Sequence, residues 1–291
     1  MAKIIDGKSI AEEIRNEVRY ETKQFKKEKG ITPGLGFILV GENPASEVYV
    51  RSKGKACEEV GFYSLTEKFS ATISEQTLLS KIENLNNDKR IHGILVQLPL
   101  PQHINEQKII EAIVPHKDVD GFHPINVGKL VIGLDTYHPC TPAGIIELLK
   151  RTNINPSGKH IVVVGRSNIV GKPIANILVQ KKEWCNAIVT IAHTAAKDIS
   201  YYTKQADILI AAVGKPNMIT ASMVKKDVVV IDVGINRVED PTTKSGYKIV
   251  GDVHFEEVQH IASAITPVPK GVGPMTIAML LVNTLKAAKS Y

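Results

Sequence analysis

The chain has 291 residues, of which 43% are hydrophobic and 23% are charged. This length and composition exclude a small disulfide-stapled scaffold, a fibrous protein and a disordered chain, and they predict a globular protein of about two domains. The 36 basic and 30 acidic residues give a net charge of +6, which favours anionic ligands. The basic residues are scattered, so we expect no nucleic-acid binding.

Elements of the first half follow from its hydrophobic pattern. Short apolar runs alternate with longer amphipathic segments, which predicts parallel strands joined by crossover helices and therefore the α/β class. Turn-forming residues cluster between 114 and 142, and this segment is the predicted boundary between domains. In chain order, the pattern predicts a helix at 9–29, a strand at 36–40, helices at 44–60 and 74–86, and a strand at 93–98.

The second half repeats the alternation. The final helix follows a loop at 266–274 and is predicted to return to the first domain. We therefore predict one domain at 1–142 that also receives residues 274–291, and a second domain at 143–273. The predicted elements are a helix at 143–151, strands at 161–164, 188–192, 208–213 and 228–233, and a helix at 274–289.

Cysteine spacing and apolar runs bear on the compartment. Cys57, Cys140 and Cys185 are far apart, so neither a disulfide framework nor a zinc site is supported. His138 precedes Cys140 by two positions, but no second pair of ligands accompanies them, so we expect no metal. The first residues lack the apolar core of a secretory signal, and no apolar run approaches the ~18 residues that cross a bilayer. A cytoplasmic protein without membrane contact is expected.

The loop at 165–173 has the sequence GRSNIVGKP and lies between a predicted strand and a predicted helix. Free amides at such a helix start attract pyrophosphate. The glycine spacing fits neither a G-x-G-x-x-G sequence nor a Walker A sequence, so an ordinary strand–turn–helix connection is the alternative. Arg166 favours a dinucleotide, because a guanidinium can bind a ribose 2′-phosphate through two hydrogen bonds. Segments 214–216 and 232–236 also follow predicted strands, at the edge where a cofactor would lie.

Tyr49 and Lys53 lie four residues apart on the predicted helix at 44–60, and therefore on one face. If that face is turned to the core, Lys53 is partly removed from water. Burial disfavours the charged ammonium and makes a lysine useful for proton transfer near neutral pH. The alternative is a lysine that extends its amine to solvent beside a packed tyrosine. The same face is predicted to carry Val48, Ser52, Ala56 and Val60.

Two further polar residues stand at informative places. Gln97 ends the apolar strand at 93–98, and its amide can both donate and accept hydrogen bonds. Asp120 lies in the segment DVDGF at 118–122, within the turn-rich boundary. The alternative for each is a side chain that only caps a loop.

Eight segments occur in an order that matches a known family. They are KIIDGK at 3–8, GENPAS at 41–46, Tyr49-x-x-x-Lys53, GILVQLP at 93–99, KDVDG at 117–121, the loop at 165–173, DVGIN at 232–236 and TPVP at 266–269. Together they resemble the bifunctional methylenetetrahydrofolate dehydrogenase/methenyltetrahydrofolate cyclohydrolase family over essentially the whole chain.

The resemblance implies an N-terminal α/β folate-binding domain and a Rossmann-like domain that binds NADP. It implies oxidation of 5,10-methylenetetrahydrofolate with NADP, followed by hydrolysis of the methenyl product to 10-formyltetrahydrofolate. It further implies a cytoplasmic homodimer that acts on tetrahydrofolate derivatives and serves purine biosynthesis.

The same resemblance assigns roles to individual residues. Lys53 would be the main catalytic residue, assisting proton movement when water attacks the methenyl carbon, and Gln97 would bind it and help to set its charge. Tyr49 would stack on the folate rings. Asp120 would bind the polar edge of the pterin and would be a catalytic residue together with Lys53 and Gln97. The implied cofactor contacts are Gly165, Arg166, Ser167, Thr194 and Ile235.

The chain departs from the family pattern at two places. Lys270 stands where the closing motif of the family has glycine, and a lysine there has less backbone freedom. Alternatively, the Lys270 side chain only extends into solvent and has no effect on the loop. The second departure is AHTA at 192–195, where the family often has Cys-His-Ser or Cys-His-Arg, so NADP rests mainly on Arg166.

Two other functions are compatible with a dinucleotide-binding domain. One is a dehydrogenase of an unrelated polar substrate, such as a shikimate-type acid. The other is a nucleotide-binding protein without catalytic activity. Turnover of a folate substrate separates both from the leading hypothesis.

Overall fold

The computed structural model describes residues 1–243 and 246–290, and the chain folds into two compact units. One unit consists of residues 1–11 and 141–276, and the other of residues 12–140 with the C-terminal residues from 277. The units differ from the predicted domains at the N-terminus, because strand β1 (Lys3–Ile4) pairs with Ala264 and Ile265 in a parallel ladder. Within the described residues, no helix has the length and apolar character needed to cross a membrane.

The unit that contains residues 12–140 is built on three parallel strands in the order β3-β2-β4. Its central strand is buried along its whole length, and apolar side chains such as Ile38 and Ile94 form the core. The elements are α1 (Gly7–Lys29, which begins in the other unit), β2 (Gly34–Val40), α2 (Pro44–Val60), β3 (Tyr63–Phe69), α3 (Glu75–Asn87), β4 (Gly93–Val96), α4 (Glu106–Ala112) and α5 (Pro124–Val131).

The predicted elements of this unit are confirmed with small shifts at their ends. The Ser74 hydroxyl accepts a hydrogen bond from the Thr77 N–H at 3.1 Å and caps α3. The prediction of a turn-rich segment at 114–142 is wrong at α5. There Pro124 occupies the first turn, and His123 Nδ1 accepts a hydrogen bond from the Ile125 N–H, so a proline that suggested a turn begins a helix.

The other unit is built on six parallel strands in the order β1-β11-β8-β7-β5-β6. The chain reverses direction across this sheet between β5 and β7, and ligands of such doubly wound sheets bind outside the carboxyl ends of the strands at that point. The predicted strands and the α/β class are confirmed. The elements are α6 (Cys140–Arg151), β5 (His160–Val164), α7 (Gly171–Leu178), β6 (Ile188–Ala192), α8 (Ser200–Thr203), β7 (Ile208–Ala211), β8 (Val229–Asp232), β9 (Asn236–Glu239), β10 (Tyr247–Val250), α9 (Phe255–Val258) and β11 (Ala264–Ile265), of which β9 and β10 form a separate antiparallel hairpin. The final helix α10 (Val272–Lys289) begins in this unit, and its residues from 277 belong to the other unit.

Lys270 adopts a φ of 84°, in the left-handed region that favours glycine. Its carbonyl accepts a hydrogen bond from the Lys8 N–H at 2.9 Å. The next residue, Gly271, packs its carbonyl against the Cα of Gly7. These contacts hold the backbone in a conformation that costs a lysine energy, while its side chain is exposed.

Lys270→Gly should therefore stabilise the protein by about 1 kcal/mol, because glycine adopts this conformation without strain. Urea denaturation measures the change. Lys270→Ala is the control, since alanine removes the charge but keeps the strain. Equal stability of the two variants would contradict this account.

Candidate active and cofactor sites

Lys53 lies on the buried face of α2 and is 8% exposed. Its amine donates a hydrogen bond to Gln97 Oε1 at 3.1 Å. Gln97 directly follows β4, and its own amide nitrogen donates to the Leu98 carbonyl at 2.8 Å, which fixes the amide with its oxygen toward the lysine. The structure thus brings together a helix residue and a strand-end residue that are 44 positions apart.

The predicted face of α2 is wrong at two positions. Val48 is 59% exposed and Ser52 is exposed as well. Tyr49 is 38% exposed, so its ring remains available to a ligand. Ala56 and Val60 are buried as predicted, and the stripe that packs on the core consists of Ser46, Val50, Lys53, Cys57 and Val60.

Asp120 lies close to Lys53 in a partly buried position. Burial raises the pKa of the Asp120 carboxyl, the charge of Lys53 opposes this shift, and the nearby Asp118 adds to it. The Cys140 thiol lies 3.5 Å from Asp120 Oδ1. An amine, an amide and a carboxyl group therefore meet within one unit, which is a set of groups suited to proton transfer and to hydrogen bonding of a polar ring.

The segment before Asp120 is held by two buried charged residues whose roles the sequence did not reveal. The backbone of Asp118 forms an isolated parallel β-bridge with Ile94 of β4. Its Oδ2 accepts hydrogen bonds from the His123 N–H and from Asn126 Nδ2, both at 2.8 Å. Burial raises the pKa of Asp118. The only sequence signal was three charged residues in the segment KDVDG.

Lys117 is the second of these residues and is fully buried. Its amine donates to the carbonyls of Leu85, Asn86 and Asp88 at 3.1, 2.7 and 2.9 Å. Leu85 and Asn86 belong to the last turn of α3, where carbonyls have no partner within the helix, and the Asp88 carbonyl directly after the helix also accepts a hydrogen bond from the Ile91 N–H at 3.1 Å. Burial lowers the pKa of Lys117. Lys117 therefore ties the segment that leads to Asp120 to the end of a helix.

The loop after β5 has a backbone that only glycine accommodates at its first position. Gly165 has a φ of 135°, and a Cβ there would overlap the Ala212 carbonyl oxygen at the end of β7. The Ser167 hydroxyl accepts a hydrogen bond from the Val170 N–H at 3.1 Å and closes the loop. Arg166 is exposed and forms no ion pair with any residue in the described part of the chain.

The other predicted cofactor residues lie at the same edge of the sheet. Thr194 is exposed and follows β6, and Ile235 is 51% exposed and follows β8. An exposed guanidinium, an open glycine loop and an exposed apolar side chain at the carboxyl ends of parallel strands fit a phosphorylated dinucleotide. In residues 1–243 and 246–290, no group of three or more metal-binding side chains comes together.

Two family models match the chain. The tetrahydrofolate dehydrogenase/cyclohydrolase catalytic domain matches residues 5–120, and the NAD(P)-binding domain of the same family matches residues 139–291. The chain belongs to this family. The prediction of a bifunctional folate enzyme that uses NADP is confirmed, and a catalytic domain of the folate family is not expected in a dehydrogenase of shikimate-type acids.

Relatives of this family are similar over nearly the full length. The bifunctional protein FolD of Chloroherpeton thalassium is 57% identical over 290 residues, with 99% of each chain covered. The crystal structure of the bifunctional methylenetetrahydrofolate dehydrogenase/cyclohydrolase FolD from Campylobacter jejuni has a TM-score of 0.93 at 52% identity and covers 100% of this chain and 99% of its own. The FolD of Trypanosoma brucei, complexed with NADP and an inhibitor, has a TM-score of 0.94 at 38% identity, covering 99% and 98%.

Lys117→Met should lower the free energy of unfolding by about 2–4 kcal/mol, because a fully buried amine and its three hydrogen bonds to backbone carbonyls are lost. Chemical denaturation measures this loss. Lys108→Met removes an exposed lysine that pairs with Glu75, and it should change stability by about 0.5 kcal/mol or less. The account fails if both variants unfold at the same denaturant concentration.

Proposed function

We propose that Lys53 and Gln97 carry the hydrolytic step of this enzyme. The supporting observation is the 3.1 Å hydrogen bond between a nearly buried amine and the Gln97 carbonyl oxygen. When water adds to the methenyl carbon, a C–O bond forms and the water loses one proton. In its neutral form, the amine of Lys53 accepts and relays that proton, and Gln97 keeps the amine aimed at the reacting carbon. The C–N5 bond then breaks, and the hydroxyl proton of the adduct moves to N5, which leaves 10-formyltetrahydrofolate.

We propose that Tyr49 and Asp120 hold the folate. The Tyr49 ring is partly exposed four residues before Lys53, so a flat pterin can stack on it while its one-carbon unit faces the lysine. Asp120 lies beside Lys53 and can accept hydrogen bonds from the polar edge of the pterin. Folate binding is accordingly assigned to the predicted domain at 1–142 with the helix within 274–291.

The dinucleotide is assigned to the predicted domain at 143–273. When bound, NADP supplies the hydride acceptor for the methylene group of the substrate. Arg166 would bind the 2′-phosphate, and the amides of the Gly165 loop would face the pyrophosphate. The remaining proposed contacts are Ser167, Thr194 and Ile235.

A homodimer fits the edge of the six-stranded sheet. Strand β6 lies at this edge and exposes Ile188 and Ile191, an apolar surface that a second copy can cover in an isologous pairing. A cytoplasmic location and a role in purine biosynthesis also belong to this proposal, because its product is a formyl donor.

Lys53→Met should reduce cyclohydrolase activity by at least about 100-fold, since the proton relay is lost while the apolar side chain fills the same space. The NADP dissociation constant should stay within about twofold of wild type, because the affected group lies in the other unit. Hydrolysis of methenyltetrahydrofolate and calorimetric NADP binding measure the two effects.

The matched control is Lys55→Met, which removes an exposed lysine from the same helix and should leave both quantities unchanged. Hydrolysis at the wild-type rate in Lys53→Met would refute the proposed role.

A further inference from the structure

Asp252 is fully buried and lies after β10. Its carboxylate accepts four hydrogen bonds. The N–H groups of Val213 and Gly214 donate to Oδ2 at 2.5 and 2.9 Å, and the Lys215 N–H and Asn236 Nδ2 donate to Oδ1 at 3.0 and 2.9 Å. Three consecutive backbone amides after β7 and one side chain at the start of β9 are therefore held by a single acceptor group.

A second buried carboxylate extends this arrangement. Asp232 Oδ1 accepts hydrogen bonds from the N–H groups of Gly234 and Asp252 at 2.9 and 3.0 Å, and Oδ2 accepts from the Val253 N–H at 3.0 Å. Burial raises the pKa of Asp232 to about 7. Neither carboxylate forms an ion pair with a lysine or arginine of the described residues, so backbone amides supply most of their stabilisation.

The two carboxylates bind the residues on either side of Ile235. Gly234 donates to Asp232, and Asn236 donates to Asp252, so both neighbours of Ile235 are fixed from inside the unit while Ile235 itself stays exposed. A Cβ at Gly234 would overlap the Asp252 carboxyl group, which shows how closely the loop approaches it.

We propose that Asp252 is a positioning residue for NADP binding. It fixes the loop after β7 and the residue after Ile235 in one arrangement at the carboxyl edge of the sheet, so the surface that meets the nucleotide is formed before binding. This inference rests on the proposed contact of Ile235 with NADP. Asp252 itself is buried and needs no contact with the cofactor.

The chemistry of the four donors explains why a carboxylate is needed. A carboxylate presents two acceptor oxygens, and each receives two N–H groups here. In Asp252→Asn, one of these oxygens becomes an NH₂ group, so two donors face another donor and must move or lose their partner. Asn236→Ala removes only the side-chain donor and keeps the three backbone contacts.

The test measures NADP binding by isothermal titration calorimetry on the full chain, well below the unfolding temperature. Asp252→Asn should weaken binding about 10- to 50-fold and Asn236→Ala about 3- to 10-fold, because misplaced loops must be ordered during binding. Cyclohydrolase turnover without NADP should remain within about twofold of wild type, since Lys53 and Gln97 lie in the other unit.

Asp207→Asn is the matched control. Asp207 also joins strands of this sheet, accepting a hydrogen bond from the His160 N–H at 2.8 Å and pairing with Lys225, but it lies before β7, at the opposite edge. Its substitution should change thermal stability and leave the NADP dissociation constant within about twofold of wild type.

Wild-type NADP affinity in folded Asn236→Ala and Asp252→Asn would overturn the proposal and leave Asp252 with a structural role alone. If Asp252→Asn does not fold, Asn236→Ala decides. Ile235→Ala separates the proposed contact of Ile235 with NADP from the proposed positioning role of Asp252. Wild-type NADP affinity in Ile235→Ala refutes the proposed Ile235 contact, whereas weakened binding in Ile235→Ala beside unchanged binding in Asn236→Ala and in folded Asp252→Asn refutes the positioning role.

Discussion

The proposed hydrolytic step depends on the hydrogen bond between Lys53 and Gln97. Lys53 is 8% exposed, and a buried lysine needs a polar partner at short range to offset the loss of water around it. Gln97 provides this partner from the end of β4, and Lys53 is buried because it belongs to the stripe of α2 that packs on the core. Because helix and strand belong to the same parallel sheet unit, the amine is fixed before substrate arrives, which removes a conformational cost from the reaction.

In both units, a buried charged side chain holds the segment next to a proposed ligand contact. A buried charge is placed among backbone groups that regular structure leaves without partners. Lys117 satisfies carbonyls at the end of α3, and Asp252 satisfies amides after β7. In each case the segment that is held lies next to a proposed ligand contact, Asp120 in one unit and Ile235 in the other. Burying the charges costs desolvation, and their hydrogen bonds restrict the conformations open to the loops.

Hydrophobic patterning predicted the longer elements well, as at α2 and at the fully buried strand β2, whose ends it placed within two residues. It missed β3, whose sequence YSLTEKF is only partly buried, and it missed α5, where a proline begins a helix. Val48 was predicted to face the core, but the buried stripe of α2 runs through Val50 and Lys53 and leaves Val48 exposed. Apart from the Asn236 side chain, the hydrogen-bond partners given for Lys117 and Asp252 are backbone groups about 30 to 40 positions away, and no residue pattern marks them. The roles of the site residues came from family resemblance, which also implied the Lys53–Gln97 contact, and the structure contains that hydrogen bond.

A double-mutant cycle on cyclohydrolase turnover tests most directly whether Lys53 and Gln97 act as one unit. If they do, Gln97→Met lowers kcat about tenfold in the wild-type background and less than about twofold when Lys53 is already methionine. Equal losses in the two backgrounds would mean that the residues act independently, and the account of a proton relay held by Gln97 would be wrong.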